Sequence, residues 1–428
     1  TSQSPDAKAA NQALADSLWE NWRADVIKAR PATNIAAYSA TPLQLIETAK
    51  GDLSQAAVSA KLVDKLGDER AFEDRVVALA GEAPDHQDGP AYAAIALGDY
   101  SRAHGPGSGG QIGVITVAGD IVDGEAGPGA AGGDSVADLI DEAVANDDIK
   151  ALVLRVDSPG GSVLASERIR SALMAAKAHK LPIVASMGNV AASGGYWIST
   201  AADKIYAEPS TITGSIGVFG ILPSFEGLLG KLGITSDGVK TTPLSGEPNV
   251  MGGFGADFNR ITQLGVEDMY RRFLGIVAQA RHKSPEQIDR IAQGRVWDGG
   301  TARQLGLIDG FGGLEESIAE AARLAKIDPK MARPAYVDPK PDPFTALIEK
   351  WTNDGEARTA RKARAYDLIG YQAARQRELL TRAITDAKLL AERASIQARC
   401  LECSALQPLT RQRAQARSIL EMWASALR

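Results

Sequence analysis

A chain of 428 residues with a net charge of −6 has room for roughly two or three domains and an ample core, and its mild acidity argues against a nucleic-acid surface. No apolar run approaches the roughly 18 residues needed to span a bilayer, and no signal peptide is visible. The first residue is Thr1 rather than Met, which reads as a fragment or a processed product. Abundant glycine (43 residues) with 5% aromatics suits close backbone packing in an α/β fold.

Residues 7–82 carry apolar positions with a period near 3.6, so 1–83 is predicted to be a helical unit. Residues 84–109 are rich in Pro, Gly, Asp and Ser and read as a linker. From residue 110 short apolar strands alternate with helical stretches. The predicted strands are Gln111–Val117, Ala151–Val156, Pro182–Met187 and Lys204–Ala207; the helices between them are Ser135–Val144 and Ser162–His179. That alternation predicts a mostly parallel sheet covered on both faces, in a domain spanning 110–330. Residues 257–326 again have helical spacing. Residues 331–428 form a C-terminal extension, expected to be helical because 341–428 is dense in Arg, Ala and Glu.

Two stretches recur in the same order. Leu18–Arg30 parallels Met269–Arg281 at an offset of 251, and Ala57–Gly67 parallels Ala302–Gly312 at an offset of 245. Two ordered matches point to a tandem duplication whose first copy is incomplete, since the strands that should precede residue 1 are missing. Cys400 and Cys403 are the only cysteines. A lone C-x-x-C gives two free thiols, a local disulfide, or half of a metal or redox site shared between molecules.

The chemistry centres on two turns. Asp157-Ser158-Pro159-Gly160-Gly161-Ser162 follows a strand and opens a helix. It lacks the spacing of a dinucleotide loop and the lysine of a P-loop, so backbone amides aimed at an oxyanion are the better use. Asn189-Val190-Ala-Ala-Ser193-Gly194-Gly195-Tyr196-Trp197 places a serine among small residues between a strand and a helix, much as a nucleophile elbow does. Such a nucleophile needs a base. Of the four histidines, His86 and His104 lie in the predicted linker, His179 ends a helix and His282 follows Arg281 in the repeated helix; none sits in a motif-like loop, which disfavours a Ser-His-Asp triad without excluding it. A lysine whose pKa is lowered by burial is the alternative.

With Thr211-Ile-Thr-Gly214-Ser215-Ile216-Gly217-Val and Gly294-Arg-Val-Trp297-Asp-Gly, these motifs closely resemble the signal peptide peptidase A family of Ser/Lys peptidases, in its long, duplicated form, over nearly all of residues 1–340. The resemblance implies a crotonase-like, Clp-protease-like α/β fold built from ββα units with flanking helices. It implies Ser193 as the nucleophile, the N–H groups of Gly160 and Gly194 as the oxyanion hole, and no cofactor or metal. In the long form the lysine comes from the first copy. The position that carries lysine in the short form falls here on Ser245, and the repeat offset maps it to about six residues before Thr1. Lys240 and Lys8 are the weaker in-chain candidates.

The resemblance also implies cleaved signal peptides as substrates, bound by strand addition between apolar walls for which Val190, Tyr196, Trp197 and Ile216 are candidates. It further implies a homo-oligomer, a tetramer in the long form, held at the bacterial inner membrane by a segment absent from this chain and facing the periplasm. Two other readings remain open on sequence: a crotonase-type acyl-CoA enzyme, which also uses paired amides, and a non-catalytic scaffold.

Overall fold

The structure, a computed structural model, describes residues 3–84, 91–104, 109–127, 129–235, 237–338, 396–400 and 403. The chain divides into two compact units, 1–108 and 109–428.

The first unit is helical: α1 (Pro5–Ala29), α2 (Ile35–Ala40), α3 (Pro42–Thr48), α4 (Leu53–Ser59), α5 (Glu69–Ala80) and α6 (Leu97–His104). Local chemistry sets its boundaries. Ser4 caps α1 by accepting from the Ala7 amide, with Pro5 in the first turn. Asp68 caps α5, which ends at Gly81 with φ 86°. Helix α6 lies inside the stretch expected to be a bare linker, where Leu97–His104 supplies a short amphipathic run that Pro/Gly counting overlooks.

The second unit contains β1 (Ile112–Ala118), β2 (Asp120–Val122), β3 (Ala130–Gly132), α7 (Gly133–Ala145), β4 (Ala151–Ser158), β5 (Gly160–Ser162), α8 (Val163–Ala178), β6 (Ile183–Ala192), α9 (Gly194–Ser199), β7 (Lys204–Ala207) and β8 (Ile212–Gly214). There follow α10 (Glu226–Lys231), α11 (Ala256–Arg281), α12 (Pro285–Asp289), β9 (Val296–Asp298), α13 (Gly299–Gln304), β10 (Gly310–Phe311), α14 (Leu314–Leu324), β11 (Pro334–Tyr336) and β12 (Gln397–Arg399). The main sheet runs β10-β7-β6-β4-β1-β11, every neighbouring pair parallel. A second sheet runs β12-β5-β2-β3.

The period of two along each strand divides the core between the faces. Val117, Leu152, Leu154, Ile183 and Met187 pack with α7 and α8, whereas Ile112, Val114, Val153 and Val184 meet α14. Burial of each such side chain contributes about 1.5–3 kcal/mol, so the larger α7/α8 face carries most of the hydrophobic stabilisation. This is the helix-covered parallel sheet that the sequence predicts.

Three expectations need correction. Strand β6 continues through Ala192, because the register against β4 shifts between Val156 and Ser158 and the strand then pairs with β8. The stretch 257–326 is not purely helical: β9 and β10 interrupt it, each held by a partner strand distant in sequence. The described residues of the C-terminal extension form strands β11 and β12; the remainder of the predicted helix lies outside the described residues. Cys400 and Cys403 are joined as a disulfide, which selects one of the open alternatives.

The internal repeat has a physical counterpart. In the first unit Arg30 donates from Nη2 and Nη1 to Asp64 at 2.6 and 3.1 Å, and from Nε to the Lys61 carbonyl at 3.0 Å. In the second, Arg281 donates from Nη1 and Nη2 to Asp309 at 2.9 and 3.2 Å, and from Nε to the Gly306 carbonyl at 2.8 Å. The same clamp joins a long helix to the same later turn at both repeat positions. Burial alone would raise the Asp309 carboxyl, but the Arg281 hydrogen bonds and charge outweigh it and hold the group below the usual carboxylate range. Its stabilisation is therefore complete above the unfolded pKa of about 4 and is lost as pH falls through the lower folded value. Asp309→Asn should destabilise the second unit by about 1.5–3 kcal/mol at neutral pH in urea denaturation. The gap between variant and parent should close in acid.

Candidate active site

Ser193 sits at the joint between β6 and α9. The chain changes direction there within one residue, and Ser193 takes φ 54° and ψ −113°, a conformation costing about 1–3 kcal/mol for a residue with a Cβ. Its surroundings hold it there. The Ser193 N–H donates to the Gly214 carbonyl at 2.8 Å, and its own carbonyl accepts from the Trp197 amide at 2.8 Å. Ser193 is fully buried. Among the described residues its hydroxyl has one hydrogen-bond partner, the Gly217 carbonyl, at a long 3.4 Å.

The turn from β4 into β5 lies against this joint. A Cβ on Gly194 would come within 2.6 Å of Ser166 Oγ and 3.1 Å of both the Gly160 Cα and the Ala398 carbonyl oxygen. Only a residue without a side chain fits. Two glycine turns that the sequence singled out separately are thus in contact, which is what an oxyanion site beside Ser193 needs. The detail at Gly160 differs from expectation. Its N–H donates to Ser158 Oγ at 3.1 Å, and Ser158 in turn donates to the Gly119 carbonyl at 2.6 Å, so the Gly160 amide is already engaged. Along a strand successive amides point to opposite edges, and Gly161 is the residue opposite Ala398 of β12.

The candidate wall residues are interior. Tyr196 donates its hydroxyl to the Leu307 carbonyl at 2.7 Å, and burial pushes its pKa up. Trp197 donates to Glu167 Oε2 at 2.7 Å and packs on Phe273. Val190 and Ile216 are buried as well. Tyr196, Trp197 and Ile216 belong to the core beneath the turn rather than to an opening. Lys240 pairs with Glu247 at 3.6 Å beside a different cavity, lined by Glu226, Asp237 and Ser245. Lys8 lies in α1, in the other unit.

The opening next to Ser193 is lined by none of the four candidate wall residues. A cavity of about 600 Å³ begins at Ser215 and Gly217, the carbonyl partner of Ser193, and is walled by Phe219 with Val266 and Tyr270 of α11. Tyr270 donates to Asp289 Oδ1 at 2.6 Å; burial first, and that carboxylate second, raise its pKa to about 12. The only sequence signal for this wall is the position of α11 after the Ser215–Val218 motif. Periodicity alone makes the same face look like core. Among the described residues no group of His, Cys, Asp and Glu is placed to hold a metal, and no helix is long and apolar enough to cross a membrane.

A strained, buried serine at a strand-to-helix joint, pressed against a glycine turn, has the architecture of a serine hydrolase of the peptidase class. A family model described as peptidase family S49 matches residues 175–328. The chain belongs to this family. It is 40% identical over 356 residues to "Protease 4" of Salmonella typhi, covering 83% of this chain and 57% of that protein. It is 37% identical over 196 residues to a putative protease of Synechocystis sp., covering 45% of this chain and 69% of that one. A "putative signal peptide peptidase SppA" of Enterococcus faecium is 35% identical over 179 residues, with 42% and 52% covered. The chain thus spans little more than half the length of the Salmonella relative.

Ser158 anchors the glycine turn without standing next to Ser193 in sequence. Ser158→Ala would leave the buried Gly160 amide and Gly119 carbonyl without a partner, at a cost of about 1–3 kcal/mol. The expected outcome is a lower melting temperature, together with a kcat loss larger than any change in KM.

Proposed function

We propose that this chain carries the serine-bearing part of a membrane-associated Ser/Lys endopeptidase that degrades cleaved signal peptides. The observation that carries this reading is Ser193 itself, a fully buried serine at φ 54° with Gly194 following it and the β5 turn in contact. Membership of a peptidase family and similarity to a protein named as a signal peptide peptidase support the reaction and substrate class. In this mechanism a neutral lysine amine takes the Ser193 proton as Oγ attacks the peptide carbonyl. The amides of Gly194 and Gly161 receive the oxyanion; the Gly160 N–H is held within its own turn by Ser158, whereas the Gly161 N–H faces the edge on which β12 lies and a peptide strand would lie. The lysine proton passes to the leaving amine, and water then hydrolyses the acyl-enzyme.

The base is a lysine of the first copy, which the repeat offset assigns to a position ahead of residue 1. The assembly is a tetrameric ring at the bacterial inner membrane with its sites facing the periplasm. Both belong to the same reading and rest on the family resemblance.

In the full-length protein, Ser193→Ala should lower peptide hydrolysis by about 10⁴-fold or more while leaving the fold intact. A fluorophosphonate should label the parent and not the variant. The parent's kcat/KM should rise with pH as the lysine loses its proton. Hydrolysis that survives in the Ser193→Ala protein would remove the assignment.

A further inference from the structure

The strand lying along β5 is supplied by the chain itself. Gln397, Ala398 and Arg399 of β12 stand antiparallel to Ser162, Gly161 and Gly160. Beyond the ends of that pairing, the Cys400 N–H donates to the Pro159 carbonyl at 2.7 Å and the Val163 N–H to the Ile396 carbonyl at 3.3 Å. Both positions lie two residues from the Ala398/Gly161 pair, so the alternation of an antiparallel ladder makes that pair a hydrogen-bonded one. On its other edge the segment exchanges two bonds with Phe219: Gln397 N–H to the Phe219 carbonyl at 2.8 Å, and Phe219 N–H to the Gln397 carbonyl at 2.9 Å. The segment is therefore held on both edges, along β5 through Ile396, Ala398 and Cys400 and on the other side through Gln397, as in β-strand addition of a peptide ligand.

The position of the strand is as informative as its bonds. The Ala398 carbonyl oxygen lies against Gly160, near where that residue approaches the Gly194 amide. This is the ground between the two glycine turns beside Ser193. Ala398 is fully buried within the core cluster. Ile396 packs on the same cluster and reaches the α11 backbone at Gly265. Arg399 stands 3.3 Å from Asp120 and borders the cavity next to Ser215.

We propose that Ile396–Cys400 is a built-in competitor for the peptide cleft, held in the register of a substrate, and that substrates enter only when it is displaced. The proposal rests on the peptidase reading of Ser193. The register also defines the peptides that the cleft accepts. The residue whose carbonyl faces the oxyanion amides is alanine-sized, because the Ala398 side chain is enclosed and a larger one would overpack its site. The residue two positions earlier is a branched aliphatic, as Ile396 is. The residue that follows is tolerated as a cation opposite Asp120.

The test uses the full chain and a fluorescein-labelled peptide of the sequence Ser-Ile-Gln-Ala-Arg, a copy of residues 395–399. Backbone hydrogen exchange at Gln397 and Cys400 should accelerate about tenfold when the peptide is present in excess. Gln397→Pro removes the N–H bonded to Phe219 and should tighten peptide binding about tenfold, as expected if the parent's cleft is open only about a tenth of the time. A peptide with Trp in place of Ala should bind far more weakly to that variant.

Amides that stay protected while the peptide binds would make the segment a fixed structural strand and overturn the proposal. So would failure of the peptide to bind parent and variant alike. If the variant does not fold, exchange in the unmodified chain decides, with unchanged protection counting against displacement. These readouts need no chemistry. If Ser193 proves dispensable for hydrolysis while the peptide still displaces the segment, the peptidase reading alone fails. If hydrolysis needs Ser193 and the segment never yields, only the present inference fails.

Discussion

The positive φ of Ser193 is the constraint around which the second unit is built. A residue with a Cβ does not hold φ 54° and ψ −113° unaided. The Gly214 carbonyl fixes its N–H, and the first turn of α9 fixes its carbonyl through Trp197. Both supports depend on other elements. Gly214 is available because β8 pairs with the last residues of β6, and β6 reaches β8 because its register against β4 shifts after Val156. Trp197 is immobilised by Glu167 of α8 and by Phe273 of α11. The strain thus draws together the sheet, its largest helical face and the long helix of the repeated motif.

The same constraint explains why small residues crowd this part of the chain. Gly194 and Gly160 approach so closely that a methyl group on either would displace backbone or the Ser166 hydroxyl. Bringing amides that near a serine requires removing side chains, and what then holds the turn is a buried polar relay. The Gly160 amide, the Ser158 hydroxyl and the Gly119 carbonyl form one chain of hydrogen bonds linking β1, β4 and β5. Rigidity here comes from satisfied polar groups more than from apolar bulk.

Much of this was legible in the sequence because it is local. Strands β1, β4 and β7 and helices α7 and α8 follow from runs of Val, Ile and Leu and from their spacing, and the Ser193 turn from small residues after an apolar stretch. The residues of both clamps, Arg30 with Asp64 and Arg281 with Asp309, lie in the two repeated stretches of sequence. What escaped is set by partners distant along the chain. Two- and three-residue strands such as β9 and β10 have no pattern of their own. The β12 segment lies in an Arg- and Ala-rich region whose intrinsic preference is helical, yet its edges are taken by Gly161 and Phe219. The choice between the Gly160 and Gly161 amides turns on strand parity and on Ser158, neither of which spacing reveals.

The paired arginine clamps have a consequence in electrolyte. Asp64 stands mostly in solvent, whereas Asp309 and Arg281 are largely enclosed. Mobile ions gather around an exposed carboxylate and shield it within about 8–10 Å at ordinary salt, but they do not enter a packed contact. Two chemically identical clasps therefore answer differently to ionic strength. Added salt loosens the one in the first unit and spares the one that ties α11 to the turn before β10, so the two halves of the repeat can be told apart in a single protein without altering a residue.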